Sequence, residues 1–265
     1  VTLRHTGYIK RNAISLYRSQ RRGGRGKMGM TTKEEDFVEH LFIASTLSYL
    51  LCFTDAGKVY WLKVHEIPQA GRMTRGKAIV NLLNLSGEEK MTAILSVRAF
   101  EEGKYILMAT KQGVIKKTDL MSYSHPRTGG IIALTLDEKD QLISACLTDG
   151  TKEVLLSSRE GKAIHFVEDD VRDMGRTARG VKGLTLGKND FLVSMDILSP
   201  GTVGSSILSV TENGFGKRSP IEDYRLQGRG GMGIINIKTS ERNGDVVAVR
   251  AVSDRQRNYR RPLYS

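Results

Sequence analysis

The chain has 265 residues and a formal charge of +12, from 41 Lys and Arg against 29 Asp and Glu. Length alone does not demand two domains, because all-β sandwiches, barrels and propellers run this long as one unit. The positive surplus repels itself in isolation and is relieved against phosphate, so it points to a polyanionic partner, nucleic acid or an anionic membrane surface. No apolar run approaches the roughly 20 residues of a membrane helix.

The first predicted element is a β-hairpin, VTLRHTGYIKR from Val1, in which β-branched and aromatic residues flank a polar turn carrying Gly7. VTLRHTGYIK does not have the make-up of a signal peptide, so a cytosolic chain is expected. The absence of an initiator Met leads us to expect a piece of a longer protein. QRRGGRGK follows at 20–27, with three arginines, a lysine and three glycines and no apolar residue to bury. A strand is expected near Asp36 to Leu41, and Glu34 to Leu50 is the one stretch where a short helical turn is allowed.

The second repeat displays the full plan: hairpin 50–64 around Gly57, loop GRMTRGK at 71–77, strand AIVNLL at 78–83, turn SGEEK at 86–90 and strand MTAILSV at 91–97. A third follows with ILMATKQGVIKK around Gly113, loop PRTGG at 126–130, then IIALTL and LISACL. The fourth has VLLSSREGKAIHF around Gly161, loop GRTARGVKG at 175–183, then VKGLTL and FLVSMDIL. The fifth has ILSVTENGFGKR around Gly214, loop QGRGGMG at 227–233, then GIINIK and VVAVRAV. A hairpin recurring about every 50 residues, with four strands per unit, predicts an all-β disc of five blades, a propeller or a variant of one. The disc spans 1–252, and the basic segment 253–265, SDRQRNYRRPLYS, departs from the pattern.

In a radial arrangement the equivalent loops fall at equivalent places on the rim. Arg22, Arg75, Arg127, Arg179 and Arg229 then form a circumferential track, joined by Arg72, Lys77, Arg176 and Lys182 of the same loops. The hairpin ends add Lys10 and Arg11, Lys116 and Lys117, and Lys217 and Arg218, although Tyr60/Trp61 and Ile164/His165 hold that register in the second and fourth repeats. One such pair alone reads as a solvated strand end; recurrence in register is what suggests a basic belt. Glycines let backbone amides approach phosphate closely, and Arg supplies forked donors. With no base-reading helix and no aromatic stacking platform, contact should be with the duplex backbone, tolerant of sequence, and should bend DNA around the rim.

Other chemistries lack support. GRMTRGK fits GxxxxGK, but Ala78 follows where a Ser or Thr would ligate Mg²⁺, and a strand follows in place of a helix. The five histidines have no ligand spacing, Asp169 and Asp170 look like a solvated turn, and Trp61 and the methionines like packing. Cys52 and Cys146 lie in apolar runs without a CxxC, as buried free thiols would, so no metal is expected. No nucleophile, base or metal set emerges. A propeller scaffold that binds a protein is the alternative from another class.

QRRGGRGK, followed by KEEDF and hairpins ending GYIKR, GKVYW, GVIKK and GFGKR, resembles the C-terminal domain of the DNA gyrase A subunit from Val1 to about Val252. The resemblance implies a β-pinwheel whose blades exchange strands and whose rim wraps duplex DNA for negative supercoiling. It implies that Gln20, Arg21, Arg22, Gly23, Gly24, Arg25 and Gly26, with Lys27 beside them, form the family's box required for wrapping. It further implies two partners, the gyrase A N-terminal breakage-reunion domain and the gyrase B subunit, with ATP and Mg used elsewhere in that holoenzyme and no cofactor or catalytic residue here. The related topoisomerase IV domain has a degenerate box, so the intact copy favours gyrase. The family's sixth hairpin and acidic tail have no counterpart, which leaves an open five-bladed spiral as a possible form; the isolated domain is expected to be a monomer.

Overall fold

The computed structural model of the chain describes residues 1–16, 37–71, 74–86, 89–201 and 205–253. Repeat one contributes β1 (Thr2–Arg4), β2 (Tyr8–Lys10) and β3 (Val38–Leu41), and repeat two β4 (Tyr49–Thr54), β5 (Lys58–Lys63), β6 (Lys77–Ala78) and β7 (Met91–Val97). Repeat three holds β8 (Tyr105–Thr110), β9 (Val114–Asp119), β10 (Ile131–Ile132) and β11 (Leu142–Thr148). Repeat four holds β12 (Glu153–Ser158), β13 (Lys162–Val167), β14 (Val181–Lys182) and β15 (Leu192–Leu198). Repeat five holds β16 (Ser205–Thr211), β17 (Gly216–Pro220), β18 (Ile234–Ile235) and β19 (Val246–Ser253).

These strands make the expected five blades. Four have the orders β3-β1-β2-β6, β10-β5-β4-β7, β11-β8-β9-β14 and β15-β12-β13-β18, and the fifth, β17-β16-β19, has three strands among the described residues. In every four-stranded blade one edge strand comes from the following repeat: β6 pairs with β2, β10 with β5, β14 with β9 and β18 with β13. In blades two to five the other edges, β7, β11, β15 and β19, touch one another in turn. They therefore face the axis, and the exchanged strands form the outer rim.

Apolar side chains fill the spaces between neighbouring blades. Alternate residues of one strand point to opposite sides, so Leu51 and Phe53 join the core shared with repeat three while Leu50 and Cys52 join the core shared with repeat one. Both faces of the strand are buried, which is why LLCF is an unbroken apolar run.

Two sequence expectations need correction. AIVNLL, IIALTL, VKGLTL and GIINIK were expected as strands, yet each pairs over only two residues. The chain then bends across the hairpin turn of the preceding repeat: the carbonyl of Gly57 accepts from Ala133 (2.9 Å) and Leu134 (3.1 Å), and that of Gly113 from Gly183 (2.8 Å) and Leu184 (3.2 Å). The apolar residues beyond the pairing, such as Leu134 and Leu184, plug inter-blade cores instead of extending a sheet. The helical turn allowed between Glu34 and Leu50 is absent from residues 37–50. Single 3₁₀ turns instead follow the hairpins, at Val64–Glu66, Leu120–Tyr123, Glu168–Asp170 and Ile221–Asp223, where the chain must reverse sharply after the outer hairpin strand.

Candidate nucleic-acid interface

Loops two to five each lead into an exchanged strand, so they lie along the outer edge of the blades. A glycine closes each of these four loops because the entry is too tight for a side chain: Gly180 has φ 97°, and a Cβ there would sit 2.7 Å from the carbonyl oxygen of Ile115. Gln20 to Lys27 and Arg72 fall outside the described residues. The fifth loop, Gln227–Gly233, carries Gln, Arg and three glycines at the same places as Gln20–Gly26.

Successive loops are tied together. Arg176 and Arg229 both stand four residues before the closing glycine. The Arg176 guanidinium donates to the carbonyl of Ile132 at 3.2 Å and that of Arg229 to Lys182 at 3.1 Å. Thr135 and Thr185, each five residues after a closing glycine, reach forward to the next loop. The Thr135 hydroxyl donates to Thr177 O at 2.7 Å, and Thr185 donates to Gly230 O at 2.7 Å and, from its amide, to Gly231 O at 2.9 Å. Pro126 and Asn81 hold the corresponding positions between loops two and three. A proline has neither guanidinium nor amide hydrogen to make such a tie.

The cations divide into three groups. Lys77, Arg127 and Lys182 are exposed; Lys217 and Arg218 are exposed too, but Lys217 donates to Asn236 O at 2.9 Å and Arg218 is also engaged. Arg75 and Arg179 are exposed but held, Arg75 over the Tyr8 ring at 3.8 Å and Arg179 against Asp137 at 2.6 Å. Arg11, Arg176 and Arg229 are half-buried and donate to backbone carbonyls; Arg11 Nε reaches Ile67 O at 2.7 Å.

Lys10, Lys116 and Lys117, expected on an exposed belt, are buried. The exchanged strand and the next loop cover them, so their ammonium groups bond inward. Lys116 donates to Ala133 O at 2.7 Å and to Arg176 O, and Lys10 donates to Gly71 O at 3.0 Å and Thr74 O at 3.1 Å. Burial, with Arg176 beside it, lowers the Lys116 ammonium to about 8; burial and then Arg4 lower that of Lys10. Lys217 also donates inward, to Asn236 O at 2.9 Å, but stays exposed because no exchanged strand covers β17 among the described residues.

The neighbouring register position explains why its residue type changes between repeats. Arg11, Trp61, Lys117 and His165 all aim an N–H at a carbonyl of the following repeat: Ile67 (2.7 Å), Tyr123 (2.9 Å), Glu168 (3.5 Å) and Tyr224 (2.8 Å) respectively. What the position requires is a donor between blades. Sequence reading took the pairs for surface charge, and it missed Thr135 and Thr185 altogether; their common offset from the closing glycine was the available signal.

The family described as DNA gyrase C-terminal domain, beta-propeller matches residues 5–45, 48–98, 104–145, 152–199 and 205–253, one segment per repeat. The DNA gyrase A subunit of Salmonella typhimurium is 48% identical over 254 residues, covering 96% of this chain and 29% of that protein. The chain thus spans under a third of that relative. Among solved structures, a C-terminal domain of DNA topoisomerase IV superposes with a TM-score of 0.81 at 27% identity, covering 96% of this chain and 77% of that one. A DNA gyrase A C-terminal domain superposes with a TM-score of 0.76 at 27% identity, covering 96% and 82%.

Proposed function

The chain belongs to the DNA gyrase C-terminal domain family, and from that premise we propose that it binds duplex DNA along its outer edge and bends it around the disc. In this reading it is the wrapping domain of a gyrase A subunit, working in the cytoplasm with a breakage-reunion domain and a B subunit so that an ATP-dependent holoenzyme introduces negative supercoils. The chain itself supplies no chemical step. The observation that carries the reading is the serial tie between loops three, four and five through Arg176, Arg229, Thr135 and Thr185. Such ties fix the spacing of phosphate donors along a curve, which suits the backbone of a bent duplex better than any base edge.

Binding the chain to a nicked circle, ligating it and reading the linking number tests this. A change of one consistent sign supports wrapping; an unchanged linking number at saturating protein refutes it. Replacing Gln20–Gly26 with alanine in the reconstituted enzyme should abolish supercoiling and spare relaxation. A second reading, the corresponding domain of topoisomerase IV, draws on the likeness to that fold; a reconstituted enzyme that relaxes DNA but introduces no negative supercoils with Gln20–Gly26 intact would favour it. Weak duplex affinity without steep salt dependence would favour a protein-binding scaffold instead.

A further inference from the structure

We propose that Lys116 and Lys10 are positioning residues of the interface, whose buried ammonium groups turn loop carbonyls inward and thereby aim the amides of the same peptide units outward at phosphate. The inference rests on the DNA-binding reading above. A trans peptide unit points its C=O and its N–H in opposite directions. Arg176 O is bound to Lys116 Nζ, so the amide of Thr177 faces away from the ammonium; Thr74 O is bound to Lys10 Nζ, so the amide of Arg75 does likewise. Thr177 and Arg75 are exposed. Neither amide has a hydrogen-bond partner among the described residues. Each amide lies within two residues of a rim arginine, Arg179 or Arg75 itself, and the buried ammonium adds positive potential from beneath.

The charge of Lys116 is met by carbonyl dipoles and not by an opposite charge among the described residues. Among the described residues no carboxylate ion-pairs with it, and Arg176 is the charged group that bears on it. A fully buried cation set against backbone dipoles and another cation is costly for stability alone. A role toward an outside anion accounts for it, because phosphate at the rim would relieve the repulsion with Arg176.

Lys116→Ile tests this, since Ile164 occupies the same place in the fourth repeat and the fold accommodates it there. We expect the variant of the full 265-residue chain to bind a 30-bp duplex about fivefold more weakly at pH 7 and fixed salt, as for one partly screened charge near phosphate. Wild-type affinity should fall between pH 7 and 9 as Lys116 loses its proton at about 8, and the variant should lack that component. The Val1 amine, whose pKa burial lowers, is common to both proteins, so their difference isolates Lys116.

Stability moves the other way. The folded pKa lies below the unfolded one, so between about pH 8 and 10.5 the unfolded chain holds more protons, and this group's contribution to stability rises with pH. A merely structural lysine would therefore not make affinity fall as pH rises. Equal affinities and parallel pH profiles for the two proteins would overturn the proposal, and so would a pH-independent wild-type affinity if the variant failed to fold. A wild type without salt-dependent duplex affinity would instead overturn the functional reading and, with it, this proposal.

Discussion

Gly161 has φ 84°, and a Cβ there would lie 2.0 Å from the carbonyl oxygen of Ile237, which belongs to the next repeat. Nothing lies within 4 Å of the corresponding point at Gly103, although its φ is 71°. Gly161→Ala should therefore lower unfolding free energy by about 3 kcal/mol, from left-handed strain plus a backbone clash, whereas Gly103→Ala should cost only about 1 kcal/mol from strain. Urea unfolding of the two variants separates these terms. The rim arginines are likewise unequal. Arg127 is exposed and its guanidinium makes no bond among the described residues, while Arg179 is engaged by Asp137. Arg127→Gln should reduce the slope of log affinity against log salt by about 0.9, the release expected for one phosphate contact. Arg179→Gln should reduce it less, because Asp137 already neutralises part of that charge.

Between blades, one donor per junction does work that no single residue type can reveal. Trp61 Nε1 donates to Tyr123 O at 2.9 Å. Trp61→Phe keeps the ring packing but leaves that carbonyl unpaired, and should lower unfolding free energy by about 1–2 kcal/mol, read by chemical denaturation. The hairpins were legible in the sequence because turn glycines and doubly buried strands leave both a spacing and an apolar run. The exchanged strands were less legible. Their two-residue pairing is set by contacts with the preceding repeat, and an apolar run that stops pairing to fill a core looks like one that continues a strand. The buried lysines were misplaced for a related reason: a lysine at a strand end appears solvated until the exchanged strand and loop that cover it are known. The recurrence of the cations was legible, and their sorting into exposed, tethered and buried groups required the fold.

The disc presents loops two to five on the edge opposite the inner strands, so a straight duplex can reach few of them at once. Engaging loops three, four and five together requires curvature, and smooth bending of a 20–30 bp site costs on the order of 1–6 kcal/mol. Part of that cost should appear as lost affinity. A duplex with a short single-stranded gap at its centre bends at little expense while giving up only a few phosphates. It should therefore bind about tenfold more tightly than the intact duplex of equal length, since even 1.4 kcal/mol of relieved bending corresponds to that factor. Salt offers the internal control: both duplexes should keep nearly the same log–log slope, because the gap changes the work of bending and not the number of phosphates neutralised. Competition binding of gapped and intact duplexes at two salt concentrations measures both quantities. If the rim held DNA only as a straight rod, the gap would weaken binding, and the advantage of the gapped duplex would be reversed.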